Sequence, residues 1–209
     1  MSDREEIPEM SLEAIGRLTD KVENGFVEAY RSLFQDLTDR PIRLLEVGIF
    51  KGGSLLLWDM LFRHPQARFF GVDRYLPDIQ LPPRVSVYSC DQNDSEGLTT
   101  IARVHGPFDV VIDDGAHHTR ATRNCFDVLF DHVGPGGYYV IEDWVVGYWS
   151  DMRSMGVFPP TFENMYRPEY DGMVRLISEI MENAIRLQVR GLNIEFVGSR
   201  SFACFRKAA

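Results

Sequence analysis

Cysteine is scarce in this chain, and the three present, Cys90, Cys125 and Cys204, lie far apart in no recurring spacing. An odd number at wide intervals supplies neither a disulfide framework nor a zinc cage, and reads as reduced thiols packed in a core. Positive charge is also short. Lys and Arg total 22 against 31 Asp and Glu, a formal net charge of -9, so no basic surface for tracking nucleic-acid phosphates is expected. No run approaches the ~18 consecutive apolar residues of a membrane span. The acidic opening "MSDREEIPEM" lacks the basic-then-apolar plan of a secretory leader. Together these absences predict a cytoplasmic protein with neither nucleic acid nor membrane as a partner. No internal repeat, low-complexity run or linker divides the chain, so one core-forming domain is expected.

What the sequence does contain is a change of hydrophobic period. In the segment 11–37, Leu12, Ile15, Leu18 and Val22, then Phe26, Val27, Tyr30, Leu33 and Phe34, recur at steps of three and four. This predicts a helical arm over residues 1–38, broken near Gly25. From residue 39 onward, short apolar runs follow at regular distances: "IRLLEVG" from Ile42, "RFFGVD" from Arg68, "VSVYSC" from Val85, "DVVID" from Asp109 and "YYVIED" from Tyr138. Apolar character on consecutive residues indicates strands covered on both faces. The stretches between them, from Ser54, Ser95 and Arg120, read as helices. Strict alternation predicts an α/β fold, a doubly wound and mostly parallel sheet, over residues 39–209. A further helix is expected in "RPEYDGMVRLISEIMENAI" and a terminal hairpin in "NIEFVGSRSFACFRK", turning through Gly198 and Ser199.

In such sheets, ligands bind beyond the carboxyl ends of the strands. The first strand ends in "EVGIFKGGS", with Glu46, Gly48, Gly52, Gly53 and, near the expected start of a helix, Ser54. This is neither a dinucleotide fingerprint nor a P-loop, and Lys51 does not stand where a P-loop lysine would. A pyrophosphate ligand is therefore disfavoured. Asp73 closes the second strand at the place where an acidic side chain accepts hydrogen bonds from ribose hydroxyls. Each of these residues alone reads equally well as a turn or a solvated strand end; their joint spacing favours a nucleoside-containing ligand.

The fourth strand runs into "IDDGAHHTR", which gathers Asp113, Asp114, His117 and His118. Two carboxylates and two imidazoles so close together are the raw material of a metal site or an acid/base site. Glu142 and Asp143 follow the fifth strand, its expected neighbour. Oxygen donors without matched thiolates favour Mg²⁺ over zinc. His117 is the better-placed base; His118, adjacent to it, reads as a helix-start or supporting residue.

These motifs together resemble the class I S-adenosylmethionine-dependent methyltransferases. The stretch "IDDGAHHTRATRNCFDVLFDHVGPGGYYVIEDW" is similar to the metal-dependent sugar O-methyltransferases of antibiotic biosynthesis. The resemblance implies a Rossmann-like, seven-stranded sheet ending in an antiparallel hairpin. It implies S-adenosyl-L-methionine and Mg²⁺ as cofactors, with the ion on Asp114, Glu142 and Asp143 and the base at His117, Asp114 sharing the catalytic role. It places Glu46 and Gly48 under the methionine moiety, Asp73 at the ribose, Asp91 and Gln92 at the adenine and Asp113 between cofactor and metal, with Gly52, Gly53, Ser54 and Arg74 also among the cofactor-binding residues. Ala116 stands where that family often has Ser. Larger members carry an additional N-terminal region; here the corresponding part is the short helical arm.

Residues 144–172, irregular and rich in aromatics and Met, read as an acceptor lid. Trp144, Tyr148, Trp149, Phe158, Phe162 and Tyr166 are candidates for stacking on a sugar or an aglycone, or for packing on the sheet. The expected partner is a small-molecule acceptor, a glycoside. A phenol or catechol acceptor, or a non-catalytic cofactor-binding module, stays open at this point, and the amphipathic arm is compatible with homo-oligomers.

Overall fold

A computed structural model describes residues 11–157, 164–197 and 200–209. Seven strands form one sheet: β1 (Arg43–Val47), β2 (Arg68–Asp73), β3 (Val85–Ser89), β4 (Phe108–Asp113), β5 (Val133–Glu142), β6 (Val189–Val197) and β7 (Arg200–Lys207). Their order is β3-β2-β1-β4-β5-β7-β6. The first five are parallel, and β7 pairs antiparallel with both β5 and β6. This is the expected sheet with its terminal hairpin, whose turn at 198–199 lies outside the described residues. The direction of winding reverses between β1 and β4, which places a crevice at their carboxyl ends.

The helices are α1 (Leu12–Gly16), α2 (Phe26–Leu33), α3 (Gly53–Leu61), α4 (Ser95–His105), α5 (Thr119–Leu129), α6 (Trp149–Ser154) and α7 (Met173–Glu182). The lysine-bearing segment between α1 and α2 is turns rather than the expected continuous helix, because its side chains serve the core and the site described below. Gly25 does break the arm: it precedes α2 at φ 79°, a left-handed conformation glycine adopts without strain. β5 begins five residues earlier than the apolar pattern suggests, since "VGPGG" reads as a turn yet enters the sheet. The expected helix from Arg167 is confined to α7, preceded by a short 3-10 turn over Pro168–Tyr170. Cys125 and Cys204 are buried and Cys90 half-buried, all as thiols.

The two faces of the sheet carry two cores, and strand periodicity sorts the site residues between them. Leu45, Val47, Val111, Tyr139 and Ile141 face α4, α5 and α7. Leu44, Val110, Ile112 and Val140 face α3 and the arm. The arm's Phe26, Tyr30 and Phe34 are buried in this second core. Tyr30 stacks on Phe202 at 5.2 Å and meets the edge of Trp58 at 5.1 Å. Burying each such ring contributes about 1.5–3 kcal/mol, enough to fix the arm on the sheet.

Candidate active site

Glu46 lies two residues beyond Leu44, Asp114 two beyond Ile112 and Glu142 two beyond Val140, so all three are aimed toward the arm face. One carboxylate oxygen from each lies within 4.8 Å of the others. At their centre stands Lys21, from the turns between α1 and α2. Its Nζ donates to Asp114 Oδ2 at 2.5 Å and lies 2.8 Å from Glu142 Oε1 and 3.6 Å from Glu46 Oε1. The arm also supplies Tyr30, whose hydroxyl donates to Glu142 Oε1 at 2.6 Å. Sequence reasoning missed both residues. A lone lysine in a helix-period segment reads as solvent-facing, and nothing in its neighbours signals that this one is 1% exposed.

Ionisation in this cluster is strongly coupled. Burial pushes the carboxyls of Asp114 and Glu142 up to about 7, against the pull of Lys21. Burial also raises Glu46, opposed by Lys21 and by the donors Ser54 and Trp58. Lys21 itself is disfavoured by burial, but Asp114, Glu142 and Glu46 overcome this and hold its pKa well above the usual lysine value. The carboxylates outnumber the ammonium that compensates them, and Glu46 Oε1 accepts no hydrogen bond.

The expected site residues fall into three groups. The first borders a cavity of about 390 Å³ at the carboxyl ends of β1–β4, walled by Gly48, Asp73, Arg74, Asp91, Gln92, Asp114, Ala116 and His118 among others. Asp73 Oδ2 accepts from the backbone N–H of Ile49 and Phe50 at 3.0 and 3.2 Å, so it shapes the glycine loop. Arg74 lies 4.0 Å from Asp91 at the mouth. Hydrogen bonds from Asn93 hold the Asp91 carboxyl below the usual range. Gly48, at φ +87°, lets the loop approach the backbone of Asp114 and Gly115, where any Cβ would clash.

A second group is buried, and of it only Gln92 reaches the cavity wall. Gln92 is buried, its amide donating to Asp113 Oδ1 at 2.7 Å and accepting from the N–H of Ala116 at 2.9 Å. These bonds tie the end of β3 to the loop after β4 and commit the edges expected at the adenine. Asp113 faces the opposite side of the sheet from Asp114 and is buried, which raises its carboxyl well above the usual range. Glu46 lies outside the cavity wall, accepting from Ser54 Oγ at 2.7 Å and Trp58 Nε1 at 3.0 Å. Ser54 therefore positions Glu46; the residue preceding α3 is Gly52, with no side-chain cap. Gly52 and Gly53 answer to packing, against Pro77 and Ile79 and against the backbone of Leu18.

The third group is His117 and Asp143, both in left-handed backbone conformation, φ 54° and 50°. Such strain in non-glycine residues collects at functional sites. His117 Nε2 stands 3.9 Å from both Asp114 Oδ1 and Asp143 Oδ2. Asp114 thus turns one oxygen to Lys21 and the other to His117. Asp143 belongs to this outer side, and the cluster around Lys21 contains Glu46 in its place. His118 precedes α5 and borders the cavity. In the segment expected to form a lid, Trp144 is core and Trp149 packs against it; Tyr148 is 40% exposed, and Phe158 and Phe162 lie outside the described residues. Tyr166 donates to Asp171.

No family model matches the chain. It is 40% identical over 131 residues to mycinamicin VI 2''-O-methyltransferase of Micromonospora griseorubida, covering 59% of this chain and 32% of that one. It is 34% identical over 162 residues to demethylmacrocin O-methyltransferase of Streptomyces fradiae, covering 69% and 40%. A methyltransferase of the mycinamycin biosynthetic pathway, solved with Mg, SAH and mycinamycin VI, superposes with a TM-score of 0.68 at 29% identity, over 93% of this chain and 54% of that one. The chain thus spans 32–42% of the length of the curated relatives it matches. It has a class I S-adenosylmethionine-dependent methyltransferase fold and resembles the sugar O-methyltransferases of glycosylated macrolides.

Proposed function

We propose that this chain transfers a methyl group from S-adenosylmethionine to a sugar hydroxyl of a glycosylated natural product, with a divalent cation, Mg²⁺, in attendance. The observation that carries the reading is the meeting of Asp114, which lines the cavity, with Asp143 and His117, in a chain whose relatives are named for methylating such glycosides. The donor set fits a hard cation: all oxygen, more carboxylates than Lys21 neutralises, and a buried Glu46 oxygen without a donor. Asp114 and Glu142 would hold the ion, with Glu46 beside them in the same cluster and Asp143 on the outer side of Asp114 as further oxygen donors, and the ion when bound would lower the pKa of a coordinated hydroxyl and fix its oxygen.

The cavity has room for a nucleoside, and its loop is held by Asp73. The N-terminal end of α3 is suited to the carboxylate of the methionine moiety. His117 takes the hydroxyl proton on Nε2 as the new O–CH₃ bond forms and the S–CH₃ bond breaks, leaving S-adenosylhomocysteine. The two carboxylates facing that nitrogen stabilise the imidazolium produced. Residues 144–172 supply the acceptor side, where the exposed Tyr148 offers a ring to a sugar face.

The test incubates the protein with S-adenosylmethionine, Mg²⁺ and either a glycosylated macrolide, its sugar-free aglycone or a catechol, and follows product mass. Methylation confined to the glycoside is expected. Methylation of the catechol alone would move the acceptor to phenols, and cofactor binding without any product would leave a binding module.

A further inference from the structure

Lys21 comes from the arm, is 1% exposed, and sends its ammonium into the cluster formed by Asp114, Glu142 and Glu46. A buried charge persists only where it is compensated, and these carboxylates compensate it. Asp114 and Glu142 are also the residues assigned above to a divalent cation. Their oxygens form a single cradle, and Nζ stands inside it. An ammonium and a divalent ion in one cradle repel strongly where water is excluded.

The segment that carries Lys21 has no helix of its own, and its apolar side chains Leu18 and Val22 are only partly buried against the core. Residues 17–25 are turns between α1 and α2, linked to α3 where Leu18 packs on Gly53. The next helix, by contrast, is fixed by Phe26, Tyr30 and Phe34 in the core. A turn segment opens at lower cost than a packed helix. We infer that Lys21 is a tethered cation that closes the carboxylate centre in the absence of a divalent ion and is displaced when one binds. Docking of residues 17–25 and metal binding are then opposed, each weakening the other by the same factor. This rests on the assignment of Asp114 and Glu142 as metal ligands.

The test uses Mn²⁺ alone, without cofactor or acceptor, on wild type, Lys21→Met and Lys21→Arg. Calorimetry is expected to show Lys21→Met binding Mn²⁺ about tenfold or more tighter than wild type, and Lys21→Arg no tighter. Hydrogen exchange on wild type is expected to accelerate at the amides of residues 17–25 when Mn²⁺ is added, a readout that survives even if Lys21→Met fails to fold. Equal or weaker binding by folded Lys21→Met, or unchanged exchange in Mn²⁺-saturated wild type, overturns the inference and leaves the metal ligands standing. Absence of Mn²⁺ binding in both wild type and folded Lys21→Met overturns the metal assignment and the inference with it.

Discussion

The carboxylates at the centre of this site and those at the mouth of its cavity are chemically alike and behave in opposite ways. Asp114 and Glu142, packed beneath the arm, have carboxyls pushed up to about 7 by burial. Asp91, at the mouth, is held below the usual range by the backbone and side chain of Asn93. The inner group is short of positive charge and accepts a proton or a cation; the outer group is satisfied by solvent and short local bonds. Burial, more than residue type, decides which acid does chemistry and which shapes a loop.

The most severe way to break that contrast is at Asp114, which faces both Lys21 and His117. Asp114→Asn is expected to reduce methyl transfer by about 10³-fold or more while sparing S-adenosylhomocysteine affinity; turnover and calorimetry read the two separately. His117→Ala is expected to cost about 10²–10³-fold in turnover. The acidic limb of the pH profile should also vanish, which a structural role for the ring would not produce.

The contrast also shows in stability. Asp114 and Glu142 have folded pKa values raised above the usual ~4, so their favourable contribution is present at low pH and is lost as pH rises through about 7. Without divalent ions, the protein should lose on the order of 5 kcal/mol from this pair between pH 5 and 8. Mg²⁺ should restore most of it, and denaturant melts at the two pH values check this. At the cavity wall, Asp73→Ala releases the N–H groups of Ile49 and Phe50 and should weaken S-adenosylhomocysteine binding by about tenfold. Asp91→Ala, at the exposed mouth, should change it by less than about threefold.

Much of this was legible in the sequence. The strands β2 and β4 announce themselves as consecutive apolar residues ending in Asp, and the helix α4 begins at Ser95 as expected. "VGPGG" was not legible as strand, because glycine and proline signal turns unless a neighbouring strand recruits them. Asp114, Glu142 and His117 stood out by type and place. Their partners did not, since partnership depends on which face of the sheet each strand end presents. Counting alternation back from the strand cores does place Glu46, Asp114 and Glu142 on one face and Asp113 on the other. Lys21 had no such signal. Its role follows from how the arm docks, a long-range contact across 93 residues to Asp114, which local patterning cannot carry.

The most direct measurement is methyl transfer to a glycosylated macrolide by wild type and Asp114→Ala, each before and after EDTA and with Mg²⁺ restored. The metal-assisted account predicts activity in wild type that EDTA abolishes and Mg²⁺ recovers, and none in Asp114→Ala under any condition. Full activity after EDTA, and in Asp114→Ala, would contradict it.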